Sequence, residues 1–245
     1  MSSAKSLDSF PRPNVAVDIA VLTVAPAVDT LADVDRLSVL VLRRDEEPHG
    51  VLPGRFIRER RTIEETVREI LELKLDLDPG DISPTLLKVF DDPHRDERAW
   101  TLSIAHAVTL PAGRVLGCAA EMVTIDRSGD LATGEQLGFD HNEIVREAVR
   151  VMRDRYETAP DPDGLLPGPF TLSELRRLHE AVLGERLRKD TFNRRMREQL
   201  EEVYDAPDTP SLRRAVGRPA QLFRANSPDT SAASQRWQLP RQTLQ

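Results

Sequence analysis

Two stretches of this chain hold residue types that do chemistry. The first, Val51 to Leu77 (VLPGRFIRERRTIEETVREILELKLDL), sets a Leu-Pro-Gly turn and four arginines ahead of an amphipathic segment. The arginines are Arg55, Arg58, Arg60 and Arg61, and the segment carries Glu64, Glu65, Glu69 and Glu72. Carboxylates grouped on one helix could ligate a hard cation such as Mg²⁺, whereas clustered guanidiniums can bind a diphosphate directly through charge and paired N–H donors. A plainer reading is a solvated face on which the glutamates pair with Arg68. The second stretch, Lys189 to Val203 (KDTFNRRMREQLEEV), reads as a helix with Phe192, Met196 and Leu200 as its core stripe. Lys189, Thr191, Asn193, Arg194, Arg195 and Arg197 are left over, the residue types that grip phosphates and read base edges in a DNA major groove.

The elements that must position these groups follow from periodicity. Val15 to Val24 and Leu37 to Leu42 are near-continuous aliphatic runs that read as buried strands. Ile82 to Phe90 and Trp100 to Val108 give two more strands, and Glu121 to Ile125 a short fifth. Ile63, Val67 and Leu71, at i, i+4 and i+8, predict a helix opening near Thr62 and closed by Pro79-Gly80. His141 to Tyr156 is a second helix, with Asp140 as N-cap and Ile144, Ala148, Val151 and Met152 inward. Loops at strand ends add further ligand-binding candidates, Arg43, Arg44, Asp92 and Arg95, with His94 exposed in the polar loop 91–99.

Towards the C-terminus, Thr171-Leu-Ser-Glu174 is a capping box, and Leu172, Leu175, Leu178 and Val182 continue it as an amphipathic helix that stops at Gly184. The helix opening near Lys189 follows, completing a helix–turn–helix layout. Ser211 to Arg224 then supplies a basic turn around Gly217, with Arg213, Arg214 and Arg218, and an apolar return at Leu222 and Phe223, the pattern of a β-wing. The chain divides accordingly into a flexible leader (1–13), a strand-rich N-terminal domain (14–158), a Pro-, Gly- and acid-rich linker (159–169), a DNA-binding domain (170–225) and a disordered Ser/Gln/Pro-rich tail (226–245).

Composition supports the division. Of 245 residues 39% are hydrophobic but only 4% aromatic, so Leu, Val and Ile must build the cores. Net charge is −7, yet Gly164 to Ala225 holds 12 Arg and Lys against 9 Asp and Glu. A basic module on an acidic body is the asymmetry expected when that module approaches nucleic acid. The single cysteine, Cys118, excludes an internal disulfide framework and a Cys-based zinc site, and fits the cytoplasm. No apolar run approaches membrane-spanning length. No Ser-His-Asp or Cys-His pairing stands at a meaningful spacing, so no catalytic residue and no metal ligand are assigned.

The turn, loop, Glu-rich helix and closing apolar run together resemble the Nudix box, whose glutamates hold Mg²⁺ against a diphosphate. The box reads Gly, five residues, Glu, seven residues, Arg-Glu-U, one residue, Glu-Glu, one residue, Gly-U, with U aliphatic. Taking Arg55 as the box glycine puts Arg61 at the loop glutamate and Ile70, Leu73 and Lys74 at the helix glutamates. Glu69 then takes the place of the arginine and Asp76 that of the closing glycine. A register shifted to Gly54 recovers Arg68, Glu69 and Glu72, but leaves Arg60, Leu73 and Leu75 out of pattern. The first register is preferred because it keeps Ile63, Val67, Leu71 and Leu77 at apolar places. Neither completes the metal cage.

With FTLSELRRLHEAVLGERLRKDTFNRRMRE and GRPAQLFR behind that domain, Arg12 to Arg224 is similar to the Nudix-related transcriptional regulators of NAD metabolism, the NrtR family. The resemblance implies an α+β protein, an N-terminal Nudix-like α/β/α sandwich followed by a C-terminal winged helix-turn-helix domain. It further implies a homodimeric bacterial repressor that binds a palindromic operator in double-stranded DNA near genes of NAD synthesis or salvage. ADP-ribose or a related nucleotide would be its effector, bound without hydrolysis and with no required cofactor. The expected effector-binding residues are Arg43, Arg44, Gly54, Arg55, Phe56, Arg58, Asp92 and Arg95. The expected DNA-binding residues are Lys189, Thr191, Asn193, Arg194, Arg195, Arg197, Arg213, Arg214 and Arg218. The short segment PHGV before the turn, with Arg55 where the family has a second glycine, points to an altered pocket. Two alternatives stand beside this reading: an ADP-ribose or nucleotide-sugar pyrophosphatase relying on Glu69 and Glu72, and a scaffold whose C-terminal module binds protein.

Overall fold

Side-chain alternation along β1 (Asn14–Pro26) organises the N-terminal domain: Val17, Ile19 and Val21 enter one core, Ala20 and Leu22 the other. A strand buried on both faces needs a layer on each side. The computed structural model describes residues 9–26, 35–43, 48–206, 209–213 and 219–226. Arg44, Arg214, Arg218, the start of the expected leader and the expected tail from 227 onward lie outside the described residues.

β1 pairs in parallel with β5 (Thr101–Thr109) and antiparallel with β2 (Asp35–Val41) and β3 (Gly54–Phe56). β4 (Thr85–Phe90) and β6 (Glu121–Thr124) extend the sheet in the order β4-β5-β1-β2-β6. β2 covers Leu22 to Pro26 of β1 and β3 covers Ala16 to Asp18, so the chain leaves and re-enters the sheet along one edge of β1. On one face lie α1 (Ile63–Leu75) and the single turn α2 (Ala112–Val115). On the other lies α3 (His141–Tyr156), whose Ile144, Val145, Ala148, Val149 and Met152 pack into the sheet. This is the α/β/α sandwich.

Capping chemistry sets the helix limits. Thr62 and Glu65 form a reciprocal capping box at the start of α1, and Asp76 ends it in the left-handed conformation (φ 55°, ψ 41°). Asp76 therefore takes the conformation a glycine would supply, and Leu77 behind it is buried. Both observations fit the register with Arg55 as box glycine. Asp140 occupies the N-cap position of α3 but makes no side-chain cap bond. Its carboxylate is taken instead by Arg95, a stronger, charge-assisted partner.

The C-terminal domain is α4 (Leu172–Leu183), α5 (Lys189–Arg197) and short strands around a core of Phe170, Leu175, Phe192, Met196 and Phe223. Thr171 and Glu174 form the capping box, and Gly184 closes α4 at φ 71°. α5 is shorter than the sequence predicts. It stops at Arg197, and Leu200 belongs to β7 (Leu200–Glu202), paired with β12 (Phe223–Ala225). Leu200 still packs on the same core, but on a strand, because sheet pairing with the returning chain satisfies its backbone. β8 (Tyr204–Ala206) and β9 (Thr209–Pro210) form a small hairpin the sequence does not announce. β10 (Leu212–Arg213) pairs with β11 (Ala220–Gln221) as the base of the wing.

The segment expected to link the domains is anchored. Asp161 accepts hydrogen bonds from the backbone of Leu165 and Leu166 and from the Tyr156 hydroxyl, and Leu165 is buried in the sandwich core. Leu178 and Val182 of α4 enter that same core, while Leu175 enters the C-terminal one. α4 is thus shared by both domains.

Candidate nucleotide pocket and nucleic-acid interface

The N-terminal half of β1, β3 and the loops before β5 and α3 enclose a cleft of about 290 Å³, near the lower end of small-molecule sites. Its floor is ionic. Asp18, buried within an aliphatic strand, accepts from Ser103 Oγ at 2.6 Å and Arg95 Nη2 at 3.3 Å. Arg95 also forms a fork with both Asp140 oxygens, at 2.6 and 2.9 Å. His141 Nδ1 accepts the Leu52 N–H at 2.9 Å, which leaves the ring proton on Nε2, 3.7 Å from Asp18. Burial works to raise the Asp18 carboxyl, but His141, Ser103 and Arg95 outweigh it and hold it below the usual carboxylate range. Burial likewise pulls the Arg95 guanidinium down, and Asp140 with Asp18 more than offsets this.

Gly54 meets the floor so closely that only glycine fits. A Cβ there would lie 1.9 Å from Asp18 Oδ1 and 3.0 Å from the Val17 carbonyl. Above the floor stand Arg55, paired with Glu69, and Lys74, which donates to the Gly54 carbonyl. The rim is aromatic. Phe56 and Phe139 are 45% and 41% exposed, and the Arg98 guanidinium sits 4.9 Å from the Phe139 ring. Phe139 holds φ at +60°, uncommon for a non-glycine residue, and this carries its ring to the cleft.

Of the effector-binding residues expected from sequence, the cleft gathers Gly54, Arg55, Phe56 and Arg95. Arg44 lies outside the described residues, and the other three lie elsewhere. Arg43 is engaged by Glu121 and Glu135 away from the cleft. Arg58 projects from the exposed loop, and Asp92 caps its own loop by accepting from the Arg95 and His94 backbone. Sequence reasoning missed Asp18, Lys74, Phe139 and His141. A lone acid in the run VAVDIAV is the signal for Asp18; Phe139 leaves none.

Mg²⁺, which the Nudix resemblance implies, does not fit these residues. At the three helix-glutamate positions, Ile70 is fully buried in the core, Leu73 is 71% exposed and Lys74 is itself a cation. Glu65 serves the helix cap and Arg61, and Glu69 serves Arg55. Among the described residues no group of three or more His, Cys, Asp or Glu could hold a metal ion.

In the C-terminal domain, Lys189, Asn193 and Arg197, spaced i, i+4 and i+8 on α5, line one groove with Arg176 of α4 and Gln221 of the wing base. Arg176 and Gln221 are additions to the expected set. Arg194 is exposed, while Arg213 is tied to Glu174 and to the Pro169 carbonyl. Thr191 and Arg195 face the other way, into a cleft between the domains, where Arg195 donates to the Glu157 carbonyl at the end of α3. In that junction His179 lies edge-on between Tyr156 and Phe192, with ring centroids 5.2 and 5.0 Å away. Arg153 of α3 donates to the Val182 carbonyl of α4 at 2.9 Å and to the carbonyls of Asp126 and Arg127. α3 therefore opens at the cleft beside β3 and ends, about 24 Å on for its 16 residues, against both helices of the C-terminal domain.

The comparisons with known proteins meet this geometry at both ends. Residues 164–225 match the NrtR DNA-binding winged helix domain. Over 228 residues, 88% of this chain and 83% of the relative, the chain is 28% identical to a protein of Acinetobacter baylyi named ADPR responsive transcriptional repressor NtrR. It is similar to the solved structure of Shewanella oneidensis NrtR complexed with a 27mer DNA (TM-score 0.66, 24% identity, 91% of this chain and 97% of that one). It also resembles a MutT/nudix family protein of Enterococcus faecalis (TM-score 0.67, 19% identity, 90% of each chain). The molecule is a Nudix-fold domain joined to a DNA-binding winged helix. That winged helix is of the NrtR type.

Proposed function

We propose that this protein is a transcriptional repressor of NAD synthesis or salvage genes, relieved or engaged by ADP-ribose or a related nucleotide bound, not hydrolysed, in its Nudix-like domain. The observation that carries the reading is the pairing, in one chain, of an NrtR-type winged helix with a Nudix cleft whose metal-ligand positions hold Ile70, Leu73 and Lys74. Cations and aromatic rims suit a nucleotide diphosphate and its base, whereas hydrolysis on the Nudix plan needs carboxylates these positions lack. The protein would act in the cytoplasm as a homodimer with two-fold symmetry, each α5 entering the major groove of one half of a palindromic site. Lys189, Asn193 and Arg197 would face DNA with Arg176 in support, and Arg194 would reach the backbone.

Ligand binding at the cleft would act on the DNA-binding domain through α3. Asp140 and His141 sit at its first turn, and Tyr156 at its last residue touches His179, which touches Phe192 of α5. An effector that prefers one packing of this junction shifts the domain arrangement, and by reciprocity DNA changes effector affinity by the same factor. The test is a gel-shift on promoters of NAD-synthesis genes, titrated with ADP-ribose, NAD and ATP, with product analysis of ADP-ribose incubated with Mg²⁺. A specific shift altered by ADP-ribose, with the nucleotide recovered intact, is the expected result. Cleavage of ADP-ribose would instead establish the pyrophosphatase reading, and the absence of any specific shift would remove the repressor.

A further inference from the structure

The mismatch between the Nudix plan and these residues has a direction: where the box places the last glutamate of its metal cage, this chain has Lys74. The helix is not disturbed by the exchange. Leu71 and Leu75, one on each side of Lys74 along α1, are fully buried, so Lys74 is held in a fixed place on the helix. Its ammonium reaches the Gly54 carbonyl, in the cleft that Arg55, Arg95 and Arg98 also line. A neighbouring exchange has the same sense. Glu69, where the box has arginine, pairs with Arg55, where the box has glycine, so a guanidinium is held over the cleft by an acid that in turn cannot serve a metal. The loop arginines Arg60 and Arg61 contribute nothing to the cleft. Arg60 is 90% exposed beside Glu59, and Arg61 pairs with Glu65.

We propose that Lys74, seconded by Arg55, stands in for the divalent cation, so that the cleft binds the diphosphate of a nucleotide directly and without metal. The inference rests on the nucleotide-sensing reading above and specifies its chemistry. An ammonium fixed by a buried helix face supplies the positive charge that Mg²⁺ supplies in a hydrolase, and an N–H donor type that suits phosphate oxygens. It cannot activate water as a metal does, so the substitution keeps binding and discards hydrolysis in one step.

The experiment is calorimetric titration of the full-length protein with ADP-ribose, in EDTA and in excess Mg²⁺, for the wild type, Lys74→Gln, Lys74→Arg and Lys74→Glu. The wild type is expected to bind equally in both conditions. Lys74→Gln is expected to weaken binding by about tenfold or more, the usual loss of a charged hydrogen-bonding partner, and Lys74→Arg to retain it. Lys74→Glu, which restores a carboxylate to the box, is expected to lose binding in EDTA and to regain part of it in Mg²⁺. Wild-type binding that requires Mg²⁺ would overturn the metal replacement and leave the sensor standing. Full affinity in a folded Lys74→Gln variant would overturn the role of Lys74. No binding by the wild type in either condition would remove the sensor reading itself.

Discussion

The floor of the cleft beside β3 and the groove along α5 both gather charged side chains, and they use them in opposite ways. On the floor, Arg95 is nearly inaccessible and its hydrogen bonds go to Asp18 and Asp140, while Asp18 is also held by Ser103. Along α5, Lys189 and Arg197 are exposed around the groove that Asn193 and Arg176 complete. A guanidinium buried and forked between two acids, as Arg95 is, fixes geometry; charge nearer the surface, even where it holds one partner, can still serve recognition. The difference teaches that burial between several acids, not the density of arginines along the chain, decides which guanidiniums become part of the scaffold.

The comparison breaks most visibly at Arg95. Arg95→Met leaves the buried Asp18 and the half-buried Asp140 without their common cation, and unfolding stability is expected to fall by about 3–5 kcal/mol. Urea denaturation followed by circular dichroism measures it. A loss below about 1 kcal/mol would mean that the floor is assembled by the surrounding strands and that the ion pairs merely occupy it.

The junction between the regions offers the next effect, in pH. Burial pushes the His179 imidazole down to about 4, against the help of the Pro160 carbonyl that its ring N–H reaches. The fold therefore holds it neutral, while the unfolded chain takes up a proton below about 6.5. Stability from this residue is complete above pH 6.5 and is lost as pH falls from 6.5 towards 4, by on the order of 3 kcal/mol. Thermal melts of wild type and His179→Gln across that interval should show the wild type losing stability more steeply. Parallel profiles would mean that His179 opens to water at the junction. At the cleft itself, Gly54→Ala forces a methyl group against Asp18 and is expected to destabilise by about 1–3 kcal/mol and to abolish ADP-ribose binding. Unchanged binding would place the nucleotide away from β3.

Much of this fold is legible in the sequence because its signals are local. The runs at Val15 and Leu37 are strands, Ile63-Val67-Leu71 is a helix stripe, and the Thr171–Glu174 capping box and Gly184 bound α4 where expected. What escapes depends on distant partners. Asp140 resembles an N-cap until Arg95, 45 residues away in sequence, claims its carboxylate. Leu200 continues the helical stripe of α5, yet pairing between β7 and β12 makes it a strand residue. Half of the expected effector set meets at the cleft, because the turn at Gly54 is a local motif. Arg43 does not, because Glu121 and Glu135, far from it in sequence, engage its guanidinium, and Arg58 stands exposed on its loop. Lys74 is visible in the alignment to the Nudix box, but as a missing glutamate; its position at the Gly54 carbonyl is what gives it a meaning.

The smallest effects are the sharpest test of the comparison, since they set two arginines of one helix against each other. Arg197 lines the groove with Lys189 and Asn193, whereas Arg195, two residues earlier, turns to the Glu157 carbonyl between the domains. If the groove reads DNA, Arg197→Ala should weaken operator binding by about 1–3 kcal/mol, as loss of a paired base contact does, or lower the salt dependence by about one charge if it grips a phosphate. Arg195→Ala should leave the affinity of the nucleotide-free protein within about 0.5 kcal/mol and change instead how strongly ADP-ribose alters it, since it removes a contact that joins α5 to α3. Fluorescence anisotropy with a labelled operator, at several salt concentrations and with or without ADP-ribose, measures both. Equal losses for the two variants would mean that α5 presents its other side to DNA and that the junction must open before the operator is bound.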